Sequence, residues 1–189
     1  MIEPNVILMN GASSSGKSSF GRKLQNVLER PFFYLSSDQF VESNILPNID
    51  RENSDQINSW NVVRPKFFSA FHKTIKAFAE AGNLVIVEHV VEQENWFYEL
   101  VNLLKDESVL YIGIMCPVEE IDRREKIRGD RYIGEGRSHI KDGIHTWSKY
   151  DIEINTHEKL IEENIDIVMK SISEYSKENS IFSTIGKEI

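Results

Sequence analysis

Two kinds of segment alternate along this chain. Short apolar stretches predict strands at Val6–Met9, Phe32–Leu35, Leu84–Val87, Val109–Met115 and Asp151–Ile154. They lack the polar-apolar alternation of a half-exposed sheet, as expected when helices cover both faces. Between them, apolar residues recur at three- and four-residue intervals, which predicts helices. One runs from Lys17 towards Leu28, with Pro31 barring continuation. A second runs from about Pro65 to Ala81, carrying Phe67, Phe71, Ile75 and Phe78, with Pro65 suited to its first turn and Gly82 to its stop. Trp96, Leu100, Leu103 and Leu104 mark a third, and another starts at Pro117 and runs towards Arg128. Short helices are predicted from Gln39 and near Ser138–His145. The last long helix has Leu160, Ile161, Ile165, Val168, Met169 and Ile172 on its apolar face and Thr156 as candidate cap. Residues 47–61 are polar and read as a loop or lid, and the tail after about 178 as weakly ordered. The order of signals predicts one α/β domain over 1–189, with a five-stranded parallel sheet flanked by helices.

Between the first strand and first helix lies Gly11-Ala12-Ser13-Ser14-Ser15-Gly16-Lys17-Ser18. This is the G-x-x-x-x-G-K-S spacing of a phosphate-binding P-loop in its strand-loop-helix setting. Backbone amides of such a loop converge on a polyphosphate, and the following helix adds the positive end of its dipole. Lys17 is placed to bridge the β- and γ-phosphates of ATP, and the Ser18 hydroxyl to hold Mg²⁺.

Composition narrows the setting. The chain has 189 residues, with 40% hydrophobic and 28% charged, ordinary for a globular domain. No apolar run approaches the ~20 residues of a membrane span, and the start lacks a basic secretory leader, so the expectation is a cytoplasmic protein. Cys116, the single cysteine, sits in an apolar strand and reads as a buried structural thiol. The net charge of −8 argues against a nucleic-acid partner. Arg123 to Lys141, however, holds seven basic and three acidic residues. A local basic stretch in an acidic protein suits a compact anion.

In open parallel sheets ligands sit beyond the carboxyl ends of the strands, which selects the remaining candidates. Asp38, after strand two, can accept a hydroxyl proton as that oxygen attacks phosphorus, or serve as a helix cap. Glu88, after strand three, lies beside strand one if the strand order is 2-3-1-4-5; it can hold Mg²⁺ or be an exposed loop cap. His89 can touch substrate or be structural. Arg124, Arg128 and Arg131 are spaced to close a mobile lid at about 123–143 over a phosphoryl group; the alternative is a solvated face paired with Glu120, Glu125 or Asp130. Trp60 lines an aromatic pocket or the core; Trp96 reads as core.

These residues resemble the chloramphenicol phosphotransferase-like family of P-loop kinases. The resemblance spans about Val6 to Thr156 and rests on Leu8–Ser18 with its Ser-Ser pair, on Gly113-Ile114-Met115-Cys116, on Arg124-Glu125-x-x-Arg128-Gly129-Asp130-Arg131, on His145, and on Tyr150–Ile154. It implies a three-layer P-loop kinase fold and ATP-dependent transfer of the γ-phosphate to a hydroxyl of a small molecule, with Asp38 as base. Antibiotic resistance is one role it admits. The chain departs from the family in having Glu88-His89 where two acids are expected, and 41–65 has no clear counterpart. Two other readings stay open: a P-loop kinase for a nucleotide, sugar or nucleotide sugar, as in the zeta-toxin-like group, and a non-catalytic nucleotide-dependent binding protein.

Overall fold

The computed structural model of the chain describes residues 3–50, 57–129, 133–147 and 149–189. Five strands, β1 (Val6–Asn10), β2 (Phe32–Ser36), β3 (Leu84–His89), β4 (Val109–Met115) and β5 (Ile152–Asn155), form one parallel sheet in the order β2-β3-β1-β4-β5. β1 lies at its centre and is buried throughout. Its alternate side chains serve opposite faces. Val6 and Leu8 join the core under α3 (Trp60–Glu80), α4 (Glu94–Leu104) and α8 (Ile181–Gly186). Ile7 and Met9 join the core under α1 (Lys17–Val27) and α7 (Ile161–Ser173). Both sides are apolar, which explains the missing alternation in the sequence. The remaining helices, α2 (Ser37–Glu42), α5 (Val118–Arg128) and α6 (Glu135–Lys141), follow the carboxyl ends of β2 and β4. No helix among the described residues is long and apolar enough to cross a membrane.

Several expectations need correction. The tail is not weakly ordered: a 3₁₀ turn at Lys177–Asn179 leads into α8, whose Phe182 is fully buried against Phe97 and Tyr111. Six residues are too few to show helical periodicity, so this short apolar tether is visible only in three dimensions. Pro65 lies inside α3, not at its start. The carbonyl it leaves without an intrahelical donor, that of Asn61, belongs to an exposed residue that water can reach. The loop predicted at 47–61 therefore ends sooner; its residues 51–56 lie outside the described residues. Thr156 does not cap α7; Leu160 holds the cap position, and its amide donates to Glu163 (2.7 Å).

Candidate active site

The carboxyl ends of β1, β2, β3 and β5 open into one cavity of about 1,050 Å³. On one wall the chain leaves β1, turns through 11–16 and enters α1. Ser14 (φ 59°) and Gly16 (φ 95°) adopt left-handed backbone, the kind of turn from which anion-binding loops are built. A Cβ on Gly16 would also approach the Arg124 guanidinium to 3.1 Å and Thr156 to 3.3 Å. The loop is anchored from outside its own motif. Asn10, buried at the end of β1, accepts from the Val91 amide (2.9 Å) and donates to the Tyr150 hydroxyl (2.8 Å) and the Ile144 carbonyl (3.2 Å). Lys17 is buried, and its Nζ donates to the Ala12 carbonyl (2.7 Å) across the loop. The Ser14 and Ser15 hydroxyls are buried with no hydrogen-bond partner among the described residues. Buried polar atoms of this kind in a ligand cradle fit a missing polar guest.

Ser18, first-turn neighbour of Lys17, donates to Glu88 Oε1 at 2.6 Å. Tyr34, from β2, donates to Glu88 Oε2 at 2.6 Å. Burial first, and then the Glu88 charge, push the Tyr34 phenol far above its ordinary range, so it remains a donor. Ser18 and Glu88 both face the cavity. A hydroxyl beside a carboxylate is a hard-oxygen pair that fits Mg²⁺, which typically takes one or two protein ligands and completes its shell with water and phosphate.

The arginine-bearing side is a network. Arg124 donates to Glu120 (2.8 Å), to the Thr156 carbonyl (2.9 Å) and hydroxyl (3.2 Å), and at 3.4 Å to the Ser14 carbonyl. Thr156 in turn donates to the Ser15 carbonyl (2.5 Å). Arg124 thus braces the P-loop against the β5–α7 connection while lining the cavity. Hydrogen bonds from Arg123 and Arg124 hold the Glu120 carboxyl down at about 2. Arg128, the last residue of α5, is exposed and lines the cavity. Arg131 lies outside the described residues. Past it, α6 folds onto the loop. Glu125 is fully buried and accepts from the amides of Gly134 and Gly136 (both 2.7 Å). A Cβ on Gly136 would stand 2.5 Å from the Ser13 carbonyl, so only glycine permits this approach. Ser13 donates its amide to His139 Nδ1 (3.1 Å) and its hydroxyl to Glu135 (3.0 Å). Burial lowers the His139 pKa, in keeping with a neutral ring that accepts.

Asp38 also lines the cavity, half-buried in the first turn of α2. It does not occupy the cap position, which belongs to Ser36. Trp60 and Phe68, 6.4 Å apart between ring centroids, form an apolar patch there. Arg64 pairs with Glu92 and lies over the Trp96 ring (4.9 Å). Trp60 is therefore a cavity wall as well as a core contact, whereas Trp96 is core. His89 is fully buried behind the wall, bonded to His72. Cys116 is buried, and burial pushes its thiol up.

Sequence reasoning missed Tyr34, Asn10, His139, Glu135 and the loop-facing role of Thr156. His139 and Glu135 carried the signal of lying inside the glycine-punctuated basic stretch, and Asn10 that of belonging to the Leu8–Ser18 segment. Glu120 is a partner of Arg123 and Arg124 as the alternative reading allowed, whereas Glu125, read the same way, is a buried acceptor for backbone amides.

A family model described as chloramphenicol phosphotransferase-like protein matches residues 4–173. A Mycobacterium tuberculosis protein with the name "Putative O-phosphotransferase" is 26% identical over 174 residues, 82% of this chain and 76% of its own length. Among solved structures, the Mycobacterium tuberculosis APS kinase in complex with AMPPNP and APS superposes with a TM-score of 0.64 at 16% identity, covering 92% of this chain and 99% of that one. Shikimate kinase from Aquifex aeolicus superposes with a TM-score of 0.59 at 21% identity, covering 89% and 96%. The strand order and layering are those of P-loop kinases.

Proposed function

The chain belongs to the chloramphenicol phosphotransferase-like family, and from that premise we propose that it moves the γ-phosphate of ATP to a hydroxyl group of a small molecule. The observation that carries this reading is one cavity lined together by the P-loop, the Ser18–Glu88 pair and Asp38.

The division of labour follows from position. Loop amides other than those of Ser13 and Ser15, which bond His139 and the Ala12 carbonyl, bind the triphosphate together with the Lys17 ammonium. The Ser14 and Ser15 hydroxyls gain partners when phosphate oxygens enter. Ser18 and Glu88 would hold Mg²⁺, which when bound would neutralise charge on the phosphates during transfer. Tyr34 fixes the Glu88 carboxylate by occupying its second oxygen. Arg128, with Arg131 as its sequence-derived companion, supplies cationic charge to the transferring group, and Arg124 holds the loop's shape. Asp38 accepts the proton of the attacking hydroxyl as its oxygen bonds to phosphorus and the bond to the ADP oxygen breaks. Trp60 and Phe68 give the acceptor an apolar surface to lie against.

The test is incubation with γ-labelled ATP and magnesium against a panel of hydroxyl compounds that includes chloramphenicol, simple sugars and nucleosides. Label should appear on at least one acceptor in wild-type protein and on none with Asp38→Asn. Label released only as inorganic phosphate, with every acceptor and at acceptor-independent rate, would favour the nucleotide-dependent binding protein instead.

A further inference from the structure

Behind the cavity floor, two histidines lie in the aromatic core, an expensive place for imidazoles unless every ring nitrogen is satisfied. His89 has its ring 5.4 Å from Phe68, 5.3 Å from Phe71 and 6.0 Å from Trp96, and His72 packs beside it at 5.1 Å. Both side chains are fully buried. All four of their ring nitrogens have partners. His72 Nδ1 meets Glu99 Oε2 (2.8 Å), His72 Nε2 meets His89 Nε2 (3.0 Å), and His89 Nδ1 meets Ser37 Oγ (3.4 Å). Glu99 is completed by the Ser69 hydroxyl (2.6 Å). The chain therefore runs from a partly exposed carboxylate on α4, through α3 and the end of β3, to the first residue of α2, which lines the cavity beside Asp38.

Hydrogen-bond chemistry gives this chain a direction. Burial alone would raise the Glu99 pKa, yet hydrogen bonds from Ser69 and His72 hold it below the ordinary value, so Glu99 is an anion that only accepts. His72 must then carry its proton on Nδ1. With both rings neutral in this apolar setting, His72 Nε2 accepts and His89 carries its proton on Nε2. His89 Nδ1 is left as an acceptor, and the Ser37 hydroxyl hydrogen points back to it. What Ser37 shows the cavity is lone pairs.

Resting on the phosphotransferase reading and sharpening its substrate class, we propose that Ser37 is a contact for the acceptor substrate, and that His89, His72 and Glu99 are positioning residues that fix its hydroxyl as a hydrogen-bond acceptor. The group it meets is an O–H or N–H donor. With Asp38 also an acceptor, the floor reads a molecule that offers a donor next to the hydroxyl being phosphorylated, such as a diol or amino alcohol, and disfavours a phosphate or carboxylate at that point. Water satisfies the same pair, so ATP hydrolysis serves as a probe reaction without a known acceptor.

Two measurements on the full chain test this. Nitrogen-15 NMR of histidine-labelled protein should show His72 as the Nδ1–H tautomer and His89 as the Nε2–H tautomer. Phosphate release from magnesium-ATP should fall about tenfold in Ser37→Ala, the worth of one hydrogen bond, with KM for ATP within twofold of wild type. Glu99→Ala, remote from the cavity, should lower turnover in the same way and shift the histidine resonances. Glu99→Gln keeps an acceptor oxygen and should restore both. The inference is overturned by reversed tautomers in a protein that turns over ATP, by wild-type turnover in Ser37→Ala, or by losses confined to KM for ATP. A folded wild-type protein that neither binds nor hydrolyses ATP removes the phosphotransferase reading, and this inference with it, whatever the tautomers.

Discussion

At the scale of single residues, the local motif was legible and its partners were not. Gly11 to Ser18 are neighbours in sequence, so their spacing alone specifies a loop. The Tyr34–Glu88 bond joins residues 54 positions apart and exists because β2 and β3 pair with Ser36 beside Glu88. No spacing rule reveals such a pair. Each group has a distinct expected signature. Lys17→Ala should fold normally and lose at least about 100-fold in transfer, the scale for removing a cation aimed at developing charge; this is read by label transfer beside a thermal melt. Asp38→Asn should keep its affinity for ATP while transfer falls about 100-fold or more; normal transfer would reduce Asp38 to a structural acid. Tyr34→Phe leaves Glu88 with one hydrogen-bond partner fewer. The magnesium concentration for half-maximal activity should rise about tenfold, the usual cost of losing an outer partner of a metal ligand, with little change at saturating magnesium.

At the scale of elements, periodicity located the helices, but chemistry set their ends. α3 begins at Trp60, before its proline, because the chain between Ser59 and Val63 already makes helical bonds and brings Trp60 to the cavity. α6 is a helix whose first amides are satisfied by Glu125 from the preceding helix, so its position over the P-loop depends on one buried carboxylate. Composition showed a basic stretch there and could not show this latch. Glu125→Ala should leave two amides and a buried space unfilled, costing about 1–3 kcal/mol of stability, measurable by urea denaturation. It should also increase hydrogen exchange across 134–141 more than in the central strands. Uniform exchange throughout the chain would mean that α6 is held by other contacts.

At the scale of the whole molecule, the alternation of strand and helix signals predicted a parallel sheet covered on both faces, whereas its order, β2-β3-β1-β4-β5, was expected only from the resemblance to P-loop kinases. The carboxyl-terminal α8 was not foreseen, because a six-residue element declares itself only by what it covers. Phe182→Ala should destabilise the protein by about 3–5 kcal/mol, in contrast to the small effect expected of a loose tail. Acid should act on the whole fold as well. Glu120, Asp122, Glu99 and Glu107 have folded pKa values held below their ordinary ones. Their contribution is present above the ordinary carboxylate range and lost as pH falls through the folded values, down to about 2 for Glu120. Asp151, raised by burial, works in the opposite sense. Melting temperature should therefore fall between about pH 5 and pH 2, and Glu120→Gln should make that fall shallower.

Everything rests on a nucleotide triphosphate seated in the loop between β1 and α1. Isothermal titration calorimetry of the folded protein with magnesium and a non-hydrolysable ATP analogue tests this most directly. The account predicts binding of one analogue per chain, lost or severely weakened in Lys17→Ala; no heat of binding in wild type, or equal affinity in the two proteins, would contradict it.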